Sequence, residues 1–133
     1  MATVAAQAQT TPYERLGGHD ALQRIVDRFY DLMESDPAYA RLRAMHAPDL
    51  APMRKSLAGF LTGWCGGPRD WFDANPGKCM MSMHAPFAID ADVAGQWAEA
   101  MERAIAGTEL ADEEVAGEMA KVLGRLARGM ARP

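Results

Sequence analysis

Apolar residues recur every three to four positions along almost the whole chain, and no stretch alternates with period two. That pattern restricts the fold to packed helices. Leu22, Ile25, Val26, Phe29, Tyr30 and Met33 share one face of a helix beginning near Asp20. Met53, Leu57, Phe60, Leu61 and Trp64 share a face of a second, which Asp49 can cap. Val93, Trp97, Met101 and Ile105 follow the capping residue Asp90, and Val115, Met119, Val122, Leu123 and Leu126 follow Asp112. Breakers separate these stripes. Thr11-Pro12-Tyr13-Glu14 is a helix start with a capping box, and Gly17-Gly18 stops that helix almost at once. Asp36-Pro37 ends the Tyr30 helix and begins a short helical piece, "AYARLRAM". Gly66-Gly67-Pro68 ends the Trp64 helix, and the breaker-rich stretch onward to Lys78 is predicted to be a long loop. Loops of that length in a compact domain are usually functional or wrapped around something. The expectation is all-α, with four substantial helices and short connecting pieces.

Composition removes several classes of function. A chain of 133 residues, 49% of them hydrophobic, suits one domain with one core. Its net charge of −4 argues against a nucleic-acid partner, which requires a basic face. No run approaches the ~20 apolar residues of a membrane span. Residues 1–11, "MATVAAQAQTT", are expected to form a flexible tail rather than a signal peptide, leaving a domain over 12–130 and a cytoplasmic location. Cys65 and Cys79 form no C-x-x-C, so a zinc knuckle, a redox pair and covalent haem attachment lack their signature; two reduced, buried thiols are expected. A phosphate-binding Gly loop, G-x-S-x-G, H-E-x-x-H and Glu-x-x-His are all missing from the sequence.

His84 is the residue those exclusions leave standing. It lies in "MMSMHAPFAI", with no charged side chain between Lys78 and Asp90. The residues alone leave two readings open, a packed core imidazole or a ligand. With no second His, Cys or carboxylate beside it, His84 makes a poor zinc site. It suits an axial bond to haem iron, where the porphyrin supplies the other four donors. Tyr30 and Trp97 are ordinary members of apolar stripes, although a buried hydroxyl and an indole N–H each want a partner.

Taken together, "LGG", "RFYDLM", "LRAMHAPDL", "FLTGWCGGP" and "MHAPFAI", followed by Trp97, resemble the group II truncated haemoglobins over about residues 12–130. The resemblance implies a 2-on-2 helical sandwich around haem, with a short first helix and a long loop before the proximal histidine. It makes His84 the iron ligand of a non-covalent haem b. Tyr30, Trp97 and His46 would face the bound gas. Phe29, Met53, Leu57, Phe60, Trp64, Lys78, Met83, Phe87 and Met101 would surround the porphyrin. Met53 stands where a distal histidine could, implying a five-coordinate iron open to O2, CO and NO.

Charge-assisted bonds are worth about 1.5–3 kcal/mol each, so two donors would slow O2 release by roughly 10² to 10⁴. Such retention favours NO dioxygenation, peroxide chemistry or gas sensing over oxygen transport, with a reductase as partner and a monomer or homodimer as the assembly. One departure stands out. Relatives often carry arginines just before the proximal histidine, reaching the haem propionates, whereas this chain has Met80, Met81 and Met83. Lys78, Tyr13 or an arginine elsewhere in the chain could replace them. Two alternatives remain: a six-coordinate electron-transfer haem protein with Met53 as sixth ligand, and a haem-free helical interaction module in which His84 is merely packed.

Overall fold

The computed structural model describes residues 10–78, 84 and 87–131. Helix α1, Pro12–Leu16, starts where the sequence places it: the Thr11 hydroxyl accepts the Glu14 N–H at 3.2 Å, and Pro12 fills the first turn. Gly17 and Gly18 adopt φ of 118° and 78°, a left-handed region that disfavours side chains. This tight reversal lets α2, Gly18–Ser35, begin two residues before Asp20. Its buried face is the expected one, Leu22, Ile25, Val26, Phe29, Tyr30 and Met33.

The following segments are shorter and more divided than their spacing implies. The Asp36 carboxylate accepts the Ala38 N–H at 2.9 Å and opens a 3₁₀ turn, Pro37–Tyr39, which runs into α3, Ala40–Ala44. Helix α4, Ala51–Trp64, has Leu50 at its N-cap position. Asp49 instead accepts the Ala51 N–H at 3.0 Å from one residue further out.

The long loop after Gly66 is interrupted by a helix the breakers concealed, α5, Asp70–Ala74. Tertiary packing explains it. The rings of Trp71 and Phe72 lie 5.4 and 5.5 Å from that of Phe60 on α4, burying apolar surface that five residues could not bury alone. Helices α6, Ala91–Ala106, and α7, Glu113–Gly129, are capped by Asp90 and Asp112, which accept the Val93 and Val115 N–H groups at 2.9 and 3.1 Å.

Helix α2 packs against α4 on one side and α6 on another, while α6 runs along α7. The result is two helix pairs stacked around one core, from Leu22 and Ile25 to Met101 and Leu123. Every regular element among the described residues is helical, and none is long and apolar enough to cross a membrane. Cys65 is buried as expected, and burial pushes its thiol up to about 11. Cys79, Met80, Met81 and Met83, and residues 1–9 of the expected tail, lie outside the described residues.

Two glycines separate packing from helix propensity. A Cβ on Gly63 would sit 2.5 Å from two atoms of the Phe72 ring, whereas one on Gly95 would meet nothing within 4 Å. Gly63→Ala should therefore push α5 off α4 and cost about 1–3 kcal/mol. Gly95→Ala should stabilise by about 0.5–1 kcal/mol, because alanine loses less backbone entropy in a helix. Urea denaturation of both variants measures the difference, and equal effects would contradict this packing.

Candidate functional site

The helix pairs enclose an apolar cavity of about 420 Å³. Tyr30 of α2, Leu57 and Phe60 of α4, Val93 and Trp97 of α6 and Leu123 of α7 all line it. His84, Phe87 and Ile89 enter from the segment preceding α6. Met53, Phe87 and Leu126 are exposed by 39%, 44% and 43%, and all three line this cavity. Large apolar side chains gathered at one opening mark a binding surface rather than scattered surface residues.

Few polar groups interrupt the walls, and their bonding is unequal. Among the described residues neither the Tyr30 hydroxyl nor the Trp97 indole N–H has a hydrogen-bond partner. Phe29 supports both from behind, its ring 4.9 Å from Tyr30 in an edge-on contact and 5.1 Å from Trp97. Burial pushes the Tyr30 phenol up to about 12, against the pull of the Arg54 guanidinium 5.7 Å from its ring centre.

His46 differs from these two. Its Nδ1 is 2.9 Å from the Leu42 carbonyl oxygen, which can only accept, so Nδ1–H donates there. The ring lies edge-on to Tyr30 at 6.0 Å. Burial, aided by the charges of Arg43 and His84, holds His46 below the ordinary imidazole value despite that hydrogen bond. A neutral His46 thus has its one ring hydrogen committed to the Leu42 carbonyl while its ring lines the cavity.

Surrounding ties fix where these groups point. Arg41 bonds Asp90 at 2.7 Å and also reaches Asp92, and the Leu42 N–H donates to Gln96 Oε1 at 3.1 Å. The Tyr39 hydroxyl donates to Glu99 at 2.7 Å and accepts from Arg103 at 3.0 Å, while Arg103 also bonds Asp36 at 2.8 Å. The segment bearing His46 is thereby strapped to α6, which bears Trp97. Across the molecule Arg54 ties α4 to α2 through Asp27 at 3.2 Å and Asp31 at 2.8 Å.

Eight of the residues singled out from the sequence line the one cavity: Tyr30, His46, Met53, Leu57, Phe60, His84, Phe87 and Trp97. Phe29 and Met101 are fully buried behind the wall, Trp64 packs half-buried against the core, and Lys78 is exposed. None of those four lines the cavity. Trp71 of α5 does, with its indole N–H donating to the Ser56 hydroxyl at 3.1 Å. Tyr13 packs on Gly67 instead, where a Cβ would lie 2.7 Å from its ring. Sequence reasoning missed Trp71 and Ser56, and it counted Leu123 and Leu126 only as core. The α7 stripe was visible, but a stripe does not show whether it faces side chains or a cavity.

A family model for bacterial-like globins matches residues 11–131. The chain belongs to the bacterial-like globin family. Among solved structures the globin is similar to the cold-adapted truncated haemoglobin of Pseudoalteromonas haloplanktis TAC125. The two are 31% identical, with a TM-score of 0.87 over 93% of this chain and 99% of the other. The group II 2-on-2 haemoglobin of Agrobacterium tumefaciens is 28% identical, with a TM-score of 0.87 over 92% and 95%. Group 2 truncated haemoglobin YjbI of Bacillus subtilis is 29% identical over 99 residues, 74% of this chain and 72% of its own. The helix pairs described above are therefore the 2-on-2 sandwich of a truncated haemoglobin, and globin membership implies a haem cofactor.

The Tyr30 environment has a consequence for stability. In the fold Tyr30 keeps its proton to about 12, whereas an ordinary phenol loses it at 10.0. The stability linked to that proton is intact below 10.0 and is lost as pH rises through about 12. Tyr30→Phe should flatten the decline in urea stability across that window. A decline as steep as the parent's would show that Tyr30 does not carry it.

Proposed function

We propose that this globin binds haem b non-covalently through His84 and takes O2 and other diatomic gases beside Tyr30 and Trp97. Their retention favours redox turnover, with NO dioxygenation foremost, over bulk transport. One observation carries the reading: two hydrogen-bond donors without partners among the described residues face an apolar cavity that also holds an imidazole. No buried side-chain nitrogen or oxygen among the described residues lacks a partner, so these two donors open onto the cavity and are available to an acceptor brought by a ligand.

The residues fit the cofactor. The volume lies within the range of small-molecule and cofactor sites, roughly 300–1,000 Å³. The apolar walls match a porphyrin's faces, and the open mouth at Met53, Phe87 and Leu126 admits a flat, largely apolar molecule. Haem supplies an iron centre able to bind diatomic gases and exchange electrons with them.

The chain does the rest. His84 would hold the iron through a ring nitrogen. Tyr30 Oη–H and Trp97 Nε1–H donate to a ligand that gathers negative charge, at about 1.5–3 kcal/mol for each charge-assisted bond. Phe29 holds both donors in place, and the apolar walls exclude competing water. Repeated turnover calls for a reductase as partner. Met53 stands at the exposed mouth, a placement that does not favour the six-coordinate alternative.

Protein prepared with haem should show a Soret band that CO shifts, and His84→Ala should lose most of it. A chain that stays colourless with added hemin would overturn the proposal. Tyr30→Phe and Trp97→Phe should each raise the O2 dissociation rate by about ten- to a hundredfold, from the worth of one charge-assisted bond. Rates unchanged in both variants would mean these side chains do not hold the gas. Stopped-flow mixing of the oxygenated ferrous protein with NO tests the turnover, and nitrate is the expected product.

A further inference from the structure

Helix α3 begins with backbone donors that its own first turn leaves open. Tyr39, at its N-cap position, makes no side-chain bond to that turn, because its hydroxyl is engaged with Glu99 and Arg103. The cap comes instead from α6. Gln96 Oε1 accepts the Leu42 N–H at 3.1 Å, although 54 residues separate the two in sequence. Gln96 Nε2–H donates to the Asp92 carboxylate at 3.3 Å, and a carboxylate only accepts, so the amide has one way to face. Leu42 hands the constraint on. Its carbonyl accepts the Met45 N–H at 3.1 Å and the His46 Nδ1–H at 2.9 Å. The His46 ring in turn stands edge-on to Tyr30, with 6.0 Å between ring centres.

Gln96 is half-buried and does not line the cavity, whereas its chain neighbour Trp97 does. From this relay we infer that Gln96 is a positioning residue for the gas site. The amide beside Trp97 fixes the peptide that holds His46, so the ring is set against Tyr30 and Trp97 together. Arg41 ties the same segment to α6 through Asp90 and Asp92. Loss of the Gln96 acceptor therefore leaves that strap in place and releases one peptide. With that peptide free, the His46 ring no longer braces Tyr30 in one position. The inference rests on the gas binding proposed above, but the relay itself does not.

Gln96→Met keeps the length of the side chain and removes the acceptor, whereas Gln96→Glu keeps an acceptor. In the haem-loaded protein, Gln96→Met should raise the O2 dissociation rate by about three- to tenfold, the worth of one hydrogen bond. Gln96→Glu should stay within about twofold of the parent. Added to His46→Ala, Gln96→Met should change the rate by less than about twofold, because its effect passes through the imidazole. A full effect without His46, or none with it, would overturn the assignment. In the CO form with labelled histidine, the His46 Nδ1–H should give a proton–nitrogen signal that Gln96→Met loses and Gln96→Glu restores. If the chain takes up no haem, the proposed function fails by itself. The same signal compared in haem-free parent and Gln96→Met then decides the positioning role, and equal signals would overturn it.

Discussion

The contact on which the site depends is the packing of Phe29, edge-on to Tyr30 and tilted against Trp97. Phe29 lies on α2 and Trp97 on α6, so one fully buried ring joins the two helix pairs and backs both cavity donors. Aromatic pairs of this kind add directional preference to the area they bury. A hydroxyl and an indole on separate helices are thereby held toward one space without a hydrogen bond between them. Their readiness is a property of packing, with the polar atoms left over for whatever enters.

Charged straps on the outside complete what the core begins. Arg41, Arg54 and Arg103 each bridge helices rather than pairing along one, and each is tied to at least one aspartate. Exposed pairs contribute little to stability on their own. Their value lies in register, fixing α3 against α6 and α4 against α2. Hydrogen bonds from Arg103 and Arg41 hold the Asp36 and Asp90 carboxyls below the usual range, so the straps persist until the medium is distinctly acidic. His46 and Met53 occupy their places on the cavity wall because of this outer scaffold.

Much of the architecture was legible before any coordinates. The stripes on α2, α4, α6 and α7 follow from helical periodicity, and Thr11, Asp90 and Asp112 cap where their neighbours require. The Gly/Pro-rich stretch was misleading. Breakers signal where a chain can turn, but α5 forms because Trp71 and Phe72 find Phe60, a contact between segments that no local pattern encodes. The same limit explains Trp64 and Trp71. Spacing marked Trp64 as inward and left Trp71 in a loop, and the packed structure lines the cavity with Trp71.

The sequence by itself determined the helices, the choice of buried faces and the presence of His84, Tyr30 and Trp97 on or beside those faces. These are consequences of local propensity and of apolar residues leaving water, both readable at short range. Tertiary structure alone decided which apolar faces meet each other and which meet a cavity. It also decided that His46 turns Nδ1 to the Leu42 carbonyl. A tautomer depends on a single neighbour at hydrogen-bond distance, and that neighbour is positioned by helix packing and interhelical straps.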